Sequence, residues 1–393
     1  MTAQVLMLVC ARAEGPLPVK GVDRRREYRS VREALDAELF DLGTLDRSAV
    51  GRRVQRVLGT YVGLAVIGAL RVLRGGVDLV LCDNENEALV LAVLLKLLRR
   101  RVPLVTLAVT PAARKKTPLF LLAKAQTHID LWLAHSSVHA DLLVGRYGIP
   151  VSRVQVLPFH ADQAYFDPTL VDRGTASRPT PRRYVLAIGR QHRDYPTLVA
   201  AAEGLDVDVV IDAGSSFSRS PDLLTGRALP ASVHLVSLST SELRDAYALC
   251  EVVVAPTLEN DFGAGGTTLL EGMAMARPVV TTRSAGNGDA VSDRRSVLRG
   301  LLPRPSRGLF GALYAGGSPD ARGPHGFYVP PGDVGALHGA LHYLLEHPDE
   351  AAVLGSRGRA LVVDGLSTDH FVDRVVAAVH AVLARSRAGL PQP

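Results

Sequence analysis

Between Glu251 and Thr282 the chain reads EVVVAPTLENDFGAGGTTLLEGMAMARPVVTT, and this stretch constrains the fold more than any other. The β-branched run at 252–254 predicts a fully buried strand. A loop of Gly and small residues follows at 259–268, then a helix over 269–276. Pro278 ends that helix and opens a second strand over 279–282. Strand, helix and strand in that order make a βαβ unit, so the sheet is parallel. Parallel sheets of this kind bind ligands beyond the carboxyl ends of their strands.

The loop's residue types suit one ligand chemistry. Gly265 and Gly266 let backbone approach a ligand closely, and Thr267 and Thr268 add hydroxyls. The helix start supplies N–H groups without intrahelical acceptors and a positive dipole end, which together hold a phosphate. Glu271 falls near the end of the first expected turn. A carboxylate there would repel a bound phosphate unless it accepts hydrogen bonds from something else, such as the two hydroxyls of a ribose. Phosphate on the amides and ribose on Glu271 describe a nucleoside diphosphate. An ordinary helix N-terminus with a surface glutamate would show the same residues.

The segment resembles the nucleotide-sugar signature of family-4 glycosyltransferases of the two-Rossmann-domain (GT-B) type. The matching residues are Glu259, Phe262-Gly263, Leu270-Glu271-Gly272-Met273-Ala274 and Arg277-Pro278-Val279-Val280. The family carries Ala where Gly272 stands. It also separates two Glu residues by seven positions, which here would place the first on Gly263; the nearest upstream Glu is Glu259. The resemblance implies that Glu271 binds the donor's ribose and that Glu259 is the candidate for contact with the donor sugar. Variant loops with Gly-x-Thr before Leu-Leu-Glu imply phosphate binding by Gly266, Thr267 and Thr268.

A chain of 393 residues exceeds what one hydrophobic core holds, so two domains are expected. With 47% apolar and 21% charged residues it is globular. Cys10, Cys82 and Cys250 each sit in apolar, strand-like context, which suits buried thiols in a reducing cytosol and implies neither disulfide nor zinc. The start reads as a first strand and no stretch is long and apolar enough to span a bilayer, so a cytoplasmic location is expected. Residues 1–170 hold 23 Lys and Arg against 16 Asp and Glu, and the rest 22 against 23. The excess gathers at Arg24-Arg25-Arg26, Arg99-Arg100-Arg101 and Arg114-Lys115-Lys116. A solvated face is the plain reading of these runs, and an anionic acceptor or peripheral contact with an acidic membrane the functional one. Few aromatic residues and no nucleic-acid module signature argue against nucleic acid.

In order, the first half predicts strands at 5–10, 77–82, 103–109 and 131–135, alternating with helices at 31–37, 54–73, 88–100 and from about 119. Such alternation argues a doubly wound parallel sheet. Residues 136–168 resemble the family's helix, Gly-Ile-Pro turn and strand, and the polar stretch 171–182 reads as an interdomain linker. The second half opens with a strand at 184–188 running into Gly189-Arg190-Gln191-His192-Arg193. That places cations at a sheet's carboxyl edge, where Arg suits bidentate phosphate contact. The resemblance implies two cations clamping the diphosphate; Arg190 matches the first, and Arg193 is the candidate for the second. Asp206-Val207-Asp208 imitates a metal motif of the other glycosyltransferase fold but lacks its context. The strand 234–236 and the helix 241–249 resemble the base-binding region. Gly286-Asn287-Gly288-Asp289 matches the family's Gly-rich turn, and 292–325 is a long insertion. The tail is helical at 336–345, 351–361 and 370–384.

The expected architecture is α/β: two doubly wound Rossmann-like domains facing across a cleft. Residues 1–170 would bind the acceptor and 183–368 the nucleotide sugar, with 369–393 crossing back to the first domain. By resemblance the function is retaining transfer of a sugar from a uridine or guanosine diphosphate sugar to an acceptor hydroxyl. Departing diphosphate would be stabilised by Arg190, Arg193 and helix amides, without metal or other cofactor. Gly189, Gly265, Gly266, Thr267, Thr268 and Glu271 complete the donor site, and Gly15, Asn84 and Thr110 are acceptor-side candidates. The family's first-domain His has no counterpart, since Ala108, Val109 and Thr110 stand there. A nucleotide-sugar 2-epimerase of the same fold and a non-catalytic sugar-nucleotide binder are the alternatives.

Overall fold

The computed structural model describes residues 3–13, 19–111, 113–214, 224, 226, 228–260, 263–284 and 325–388. Gly15, Phe262, the turn Gly286-Asn287-Gly288-Asp289 and nearly all of the 292–325 insertion lie outside the described residues. The chain forms two compact units. The first comprises Met1–Pro18, Arg25–Pro158 and Asp369–Pro393, and the second Val19–Arg24 and Phe159–Thr368.

The first unit is built on six parallel strands: β1 (Val5–Leu8), β2 (Glu38–Phe40), β3 (Leu79–Cys82), β4 (Leu104–Ala108), β5 (Leu131–Ala134) and β6 (Val154–Val156), in the order β2-β1-β3-β4-β5-β6. Both faces are covered, which is why the strands read as unbroken apolar runs: Val80 and Cys82 of β3 pack into one core, Leu79 and Leu81 into the other. The edge strand β2 was not expected. It is three half-buried residues long and shows neither alternation nor a β-branched run. The single helix expected over 54–73 is two, Ala49–Leu58 and Thr60–Leu73. Gly59 between them has φ +93°, a value that no helix continues through. The helix Thr368–Arg387 places Phe371, Val372, Val375, Val379, Val382 and Leu383 in the core of this first unit, at the three-and-four spacing of one helix face.

The second unit holds β7 (Tyr184–Ile188), β8 (Asp208–Asp212), β9 (Val233–Leu235), β10 (Val252–Ala255), β11 (Val279–Thr282) and β12 (Gly326–Val329), all parallel, in the order β12-β11-β10-β7-β8-β9. Along β10, Val253 and Ala255 enter one core and Val252 and Val254 the other. The stretch expected as a linker, 171–182, belongs to this unit. Its Thr180 is buried and hydrogen-bonds Asp208 at 2.5 Å, and the amide of Ser177 donates to Asp245 at 3.0 Å. Asp208 opens β8 and also faces His234 at 2.9 Å, at the sheet's amino edge. Two parallel six-stranded sheets flanked by helices make the expected doubly wound α/β architecture.

Candidate functional site

Strand order places the second unit's switch point between β7 and β10, where successive connections run to opposite sides of the sheet. The chain leaves β7 at Gly189 and β10 at Pro256, and the two exits are tied together. The amide of Asp194 donates to the Pro256 carbonyl at 2.9 Å and that of Leu258 to the His192 carbonyl at 3.0 Å. Gly189 has φ +97°, and a Cβ there would meet Nη2 of Arg193 at 2.7 Å. The position therefore requires glycine twice over, for its backbone angle and for the guanidinium beside it.

Arg193 is buried, and each nitrogen of its fork donates to the chain. Nε donates to the Ile188 carbonyl at 3.0 Å, Nη1 to the Gln191 carbonyl at 2.9 Å, and Nη2 to Thr268 Oγ1 at 3.2 Å. Burial pulls its pKa below the ordinary arginine value. These contacts make Arg193 a brace joining the end of β7, the loop after it and the helix Gly266–Ala274. Arg190 lies half-buried one residue beyond Gly189.

That helix starts at Gly266, three residues earlier than the sequence suggests. Its N-cap is Gly265 at φ +92°, which has no side chain to cap with, and a Cβ on Gly265 would come within 3.1 Å of Ala255 Cβ. Thr267 and Thr268 thus lie inside the first turn, where amides lack intrahelical acceptors. The Gly266 amide donates to the Gly263 carbonyl at 3.1 Å. Thr267 is exposed. Thr268 turns inward and joins the Arg193 network, its hydroxyl 3.3 Å from the Ile188 carbonyl. Of the two threonines, only Thr267 presents its side chain to solvent.

Glu271 consequently sits in the second turn, not near the end of the first. It is buried, and both carboxylate oxygens have protein donors: Oε1 pairs with Arg24, and Oε2 accepts from the Tyr247 hydroxyl at 3.0 Å. Gly272, where the family motif has Ala, lies against β10; a Cβ would meet Val253 Cγ2 at 2.8 Å. Glu259 is exposed on the loop after β10.

In the first unit the switch point falls between β1 and β3. Asn84 caps the helix Glu85–Leu97 by accepting the Asn86 amide at 3.0 Å. Thr110 belongs to a buried cluster centred on Glu85, which accepts the amides of Val109 at 2.7 Å and Thr110 at 2.9 Å, the Thr110 hydroxyl at 3.2 Å, and Lys116. Burial alone would raise the Glu85 pKa, but the Lys116 charge and these donors hold it below the usual range; burial lowers that of Lys116. Beside them, burial pushes Asp83 up to about 6 and Glu87 well above its ordinary value, and the Cys10 amide donates to Asp83 at 3.3 Å.

Three members of the basic runs are therefore not on a solvated face. Lys116 pairs with Glu85, Arg24 with Glu271, and Arg25, nearly buried, with Asp369. A charge run carries no mark of which member turns inward; the signal missed was the acid awaiting each, far away in sequence. Among the described residues no three His, Cys, Asp or Glu side chains gather as a metal-holding group, and no helix is long and apolar enough to cross a membrane.

Residues 185–307 match the family model described as "Glycosyl transferases group 1". The chain is 26% identical over 179 residues to a D-inositol 3-phosphate glycosyltransferase of Paenarthrobacter aurescens (strain TC1), covering 42% of this chain and 43% of that relative. It is likewise 26% identical over 181 residues to the protein of the same description from Arthrobacter sp. (strain FB24), with 42% of each covered. The match thus spans under half the length of these curated relatives. Among solved structures, a sucrose-phosphate synthase of Thermosynechococcus elongatus superposes with TM-score 0.69 and 17% identity, over 97% of this chain and 99% of that one. An α,α-trehalose 6-phosphate synthase of Burkholderia multivorans gives 0.67 and 13%, over 98% and 100%. An Anabaena protein solved with UDP gives 0.60 and 14%, over 96% and 100%. The chain has the two-Rossmann-domain (GT-B) fold of these structures, and its second unit carries the stretch that matches the glycosyl transferases group 1 model.

Proposed function

We propose that the protein is a retaining glycosyltransferase of family 4 that moves a hexosyl group from a uridine or guanosine diphosphate sugar to a hydroxyl of a small-molecule, glycan or lipid-linked acceptor. The observation that carries this reading is the second unit's switch point. There an uncapped, glycine-led helix N-terminus, the exposed Thr267, Arg190 and a buried carboxylate in the next turn all stand at one edge of the sheet. First-turn amides and Thr267 take the diphosphate, Glu271 the ribose, and Glu259 the donor sugar.

As the glycosyl bond breaks, charge grows on the leaving phosphate. Arg190 and the helix amides stabilise it there, without a metal. Arg193 contributes by holding the loop and Thr268 in place. Among the described residues we assign no carboxylate as a nucleophile, so in this reading the departing phosphate itself takes the acceptor's proton and the anomeric configuration is kept. Asn84 and Thr110 mark the edge of the first unit's sheet to which we assign the acceptor.

The location is cytoplasmic with peripheral membrane contact through the first unit. Supporting this, the helix Ala49–Leu58 exposes Val50, Val57 and Leu58 together with Arg52, Arg53 and Arg56. The test is a panel of sugar nucleotides and acceptors read by release of free nucleoside diphosphate. Release that requires acceptor and survives excess chelator is expected. Binding without turnover across the panel would favour a non-catalytic binder, and loss of activity on chelation would overturn the metal-free mechanism.

A further inference from the structure

Glu271 has no open face. Its side chain is 4% exposed, and its two oxygens are held by Arg24 and by the Tyr247 hydroxyl. A ribose edge bringing two hydroxyls to this carboxylate must displace a donor already there. Tyr247 is not the one to leave. It is fully buried, packs edge-on against Phe166 with ring centroids 5.6 Å apart, and sits within the second unit's core. Arg24 differs in each respect. Its side chain is 26% exposed, its guanidinium lies 5.3 Å from the centroid of the Phe166 ring, and it ends the short segment Val19–Arg24, which joins the second unit from far away in the chain.

We propose that Arg24 competes with the donor's ribose for Glu271, so that nucleotide binding expels Arg24 and with it loosens the segment Val19–Arg24. This rests on the reading of Glu271 as the ribose acceptor. Arg24 is then a residue that sets donor affinity: paired, it keeps a buried carboxylate neutralised while no nucleotide is present, and each binding event must first break that pair. The cost appears as an apparent dissociation constant equal to the intrinsic one divided by the fraction of time the pair is open.

The test titrates uridine diphosphate and guanosine diphosphate separately into the full chain and into Arg24→Ala, Glu271→Ala and the double variant, by calorimetry. If Arg24 leaves Glu271 about a tenth of the time, Arg24→Ala tightens binding about tenfold, and the gain disappears in the Glu271→Ala background. In the parent protein, brief trypsin digestion should cut faster after Lys20 and Arg24 when the nucleotide is present; this readout needs no variant to fold. Unchanged or weaker binding in Arg24→Ala, with Glu271→Ala still weakening it, overturns the competition and leaves the ribose assignment standing. Unchanged binding in Glu271→Ala, or none of either nucleotide by the parent, refutes the ribose assignment and this inference together.

Discussion

Replacing Arg193 by alanine should destabilise the second unit as much as it harms function, because the guanidinium is spent on the protein itself. The change removes donors to the Ile188 carbonyl, the Gln191 carbonyl and Thr268 Oγ1. Hydrogen bonds from a charged donor are worth roughly 1.5–3 kcal/mol each, and their sum overstates the loss. The Ile188 carbonyl keeps a second contact, with the Thr268 hydroxyl at 3.3 Å, so a net cost of about 4 kcal/mol is expected. In a unit of this size about 1 kcal/mol moves the melting temperature by roughly 2–4 °C, which puts the drop at roughly 8–16 °C. Arg193→Lys keeps the charge but not the planar fork and should recover about half of that. Differential scanning calorimetry of the three proteins, with nucleotide affinity measured alongside, decides the matter. An Arg193→Ala protein melting within about 2 °C of the parent while losing nucleotide affinity would show that the guanidinium serves the ligand and not the loop.

Gly272→Ala should lower stability by about 1–2 kcal/mol in urea unfolding. Overpacking against Val253 Cγ2 at 2.8 Å outweighs the gain of about 1 kcal/mol in helix propensity, and adding Val253→Ala should relieve the clash; a stabilised single variant would contradict the packing. Arg190→Ala should cost on the order of 10²-fold in kcat, with partial rescue by Arg190→Lys, whereas a rise in KM alone would mark uniform binding. Asp83 is raised from 3.8 to about 6, so the folded protein binds this proton more tightly than the unfolded chain. Its contribution to stability is full below the unfolded value and is lost as pH rises through about 6; Asp83→Asn should flatten the fall in urea midpoint across that window. Burial raises the Cys10 thiol to about 11, so alkylation of the native protein at neutral pH should be slow even though this cysteine is only half-buried.

The strands that are buried on both faces were legible in the sequence, since a continuous β-branched run has few other uses; β11 and β7 fall where the residues place them. Helix ends were less so. Glycine marked the break at Gly59 only through its backbone angle, and the helix expected from Leu269 starts at Gly266 behind the N-cap Gly265. The half of the candidate site that we assign to phosphate depends on local spacing, which a sequence displays. The half that we assign to ribose depends on Glu271, and its partners Arg24 and Tyr247 come from 247 and 24 residues away. No spacing rule connects such positions. The same holds for Arg193: the sequence shows an arginine at a sheet edge, but not which carbonyls will surround it.

The return of the last helix to the first unit also sets an order of assembly. The core beneath one face of the first sheet takes Phe371, Val375, Val379 and Leu383 from residues made only after the whole of the second unit, which closes at Thr368. At about 5–20 residues per second, the interval between Pro158 and those residues is roughly 10–40 s, during which the first sheet presents an uncovered apolar face. The first unit is begun before the second and closed after it, and that interval is when a nascent chain of this design has most need of a chaperone.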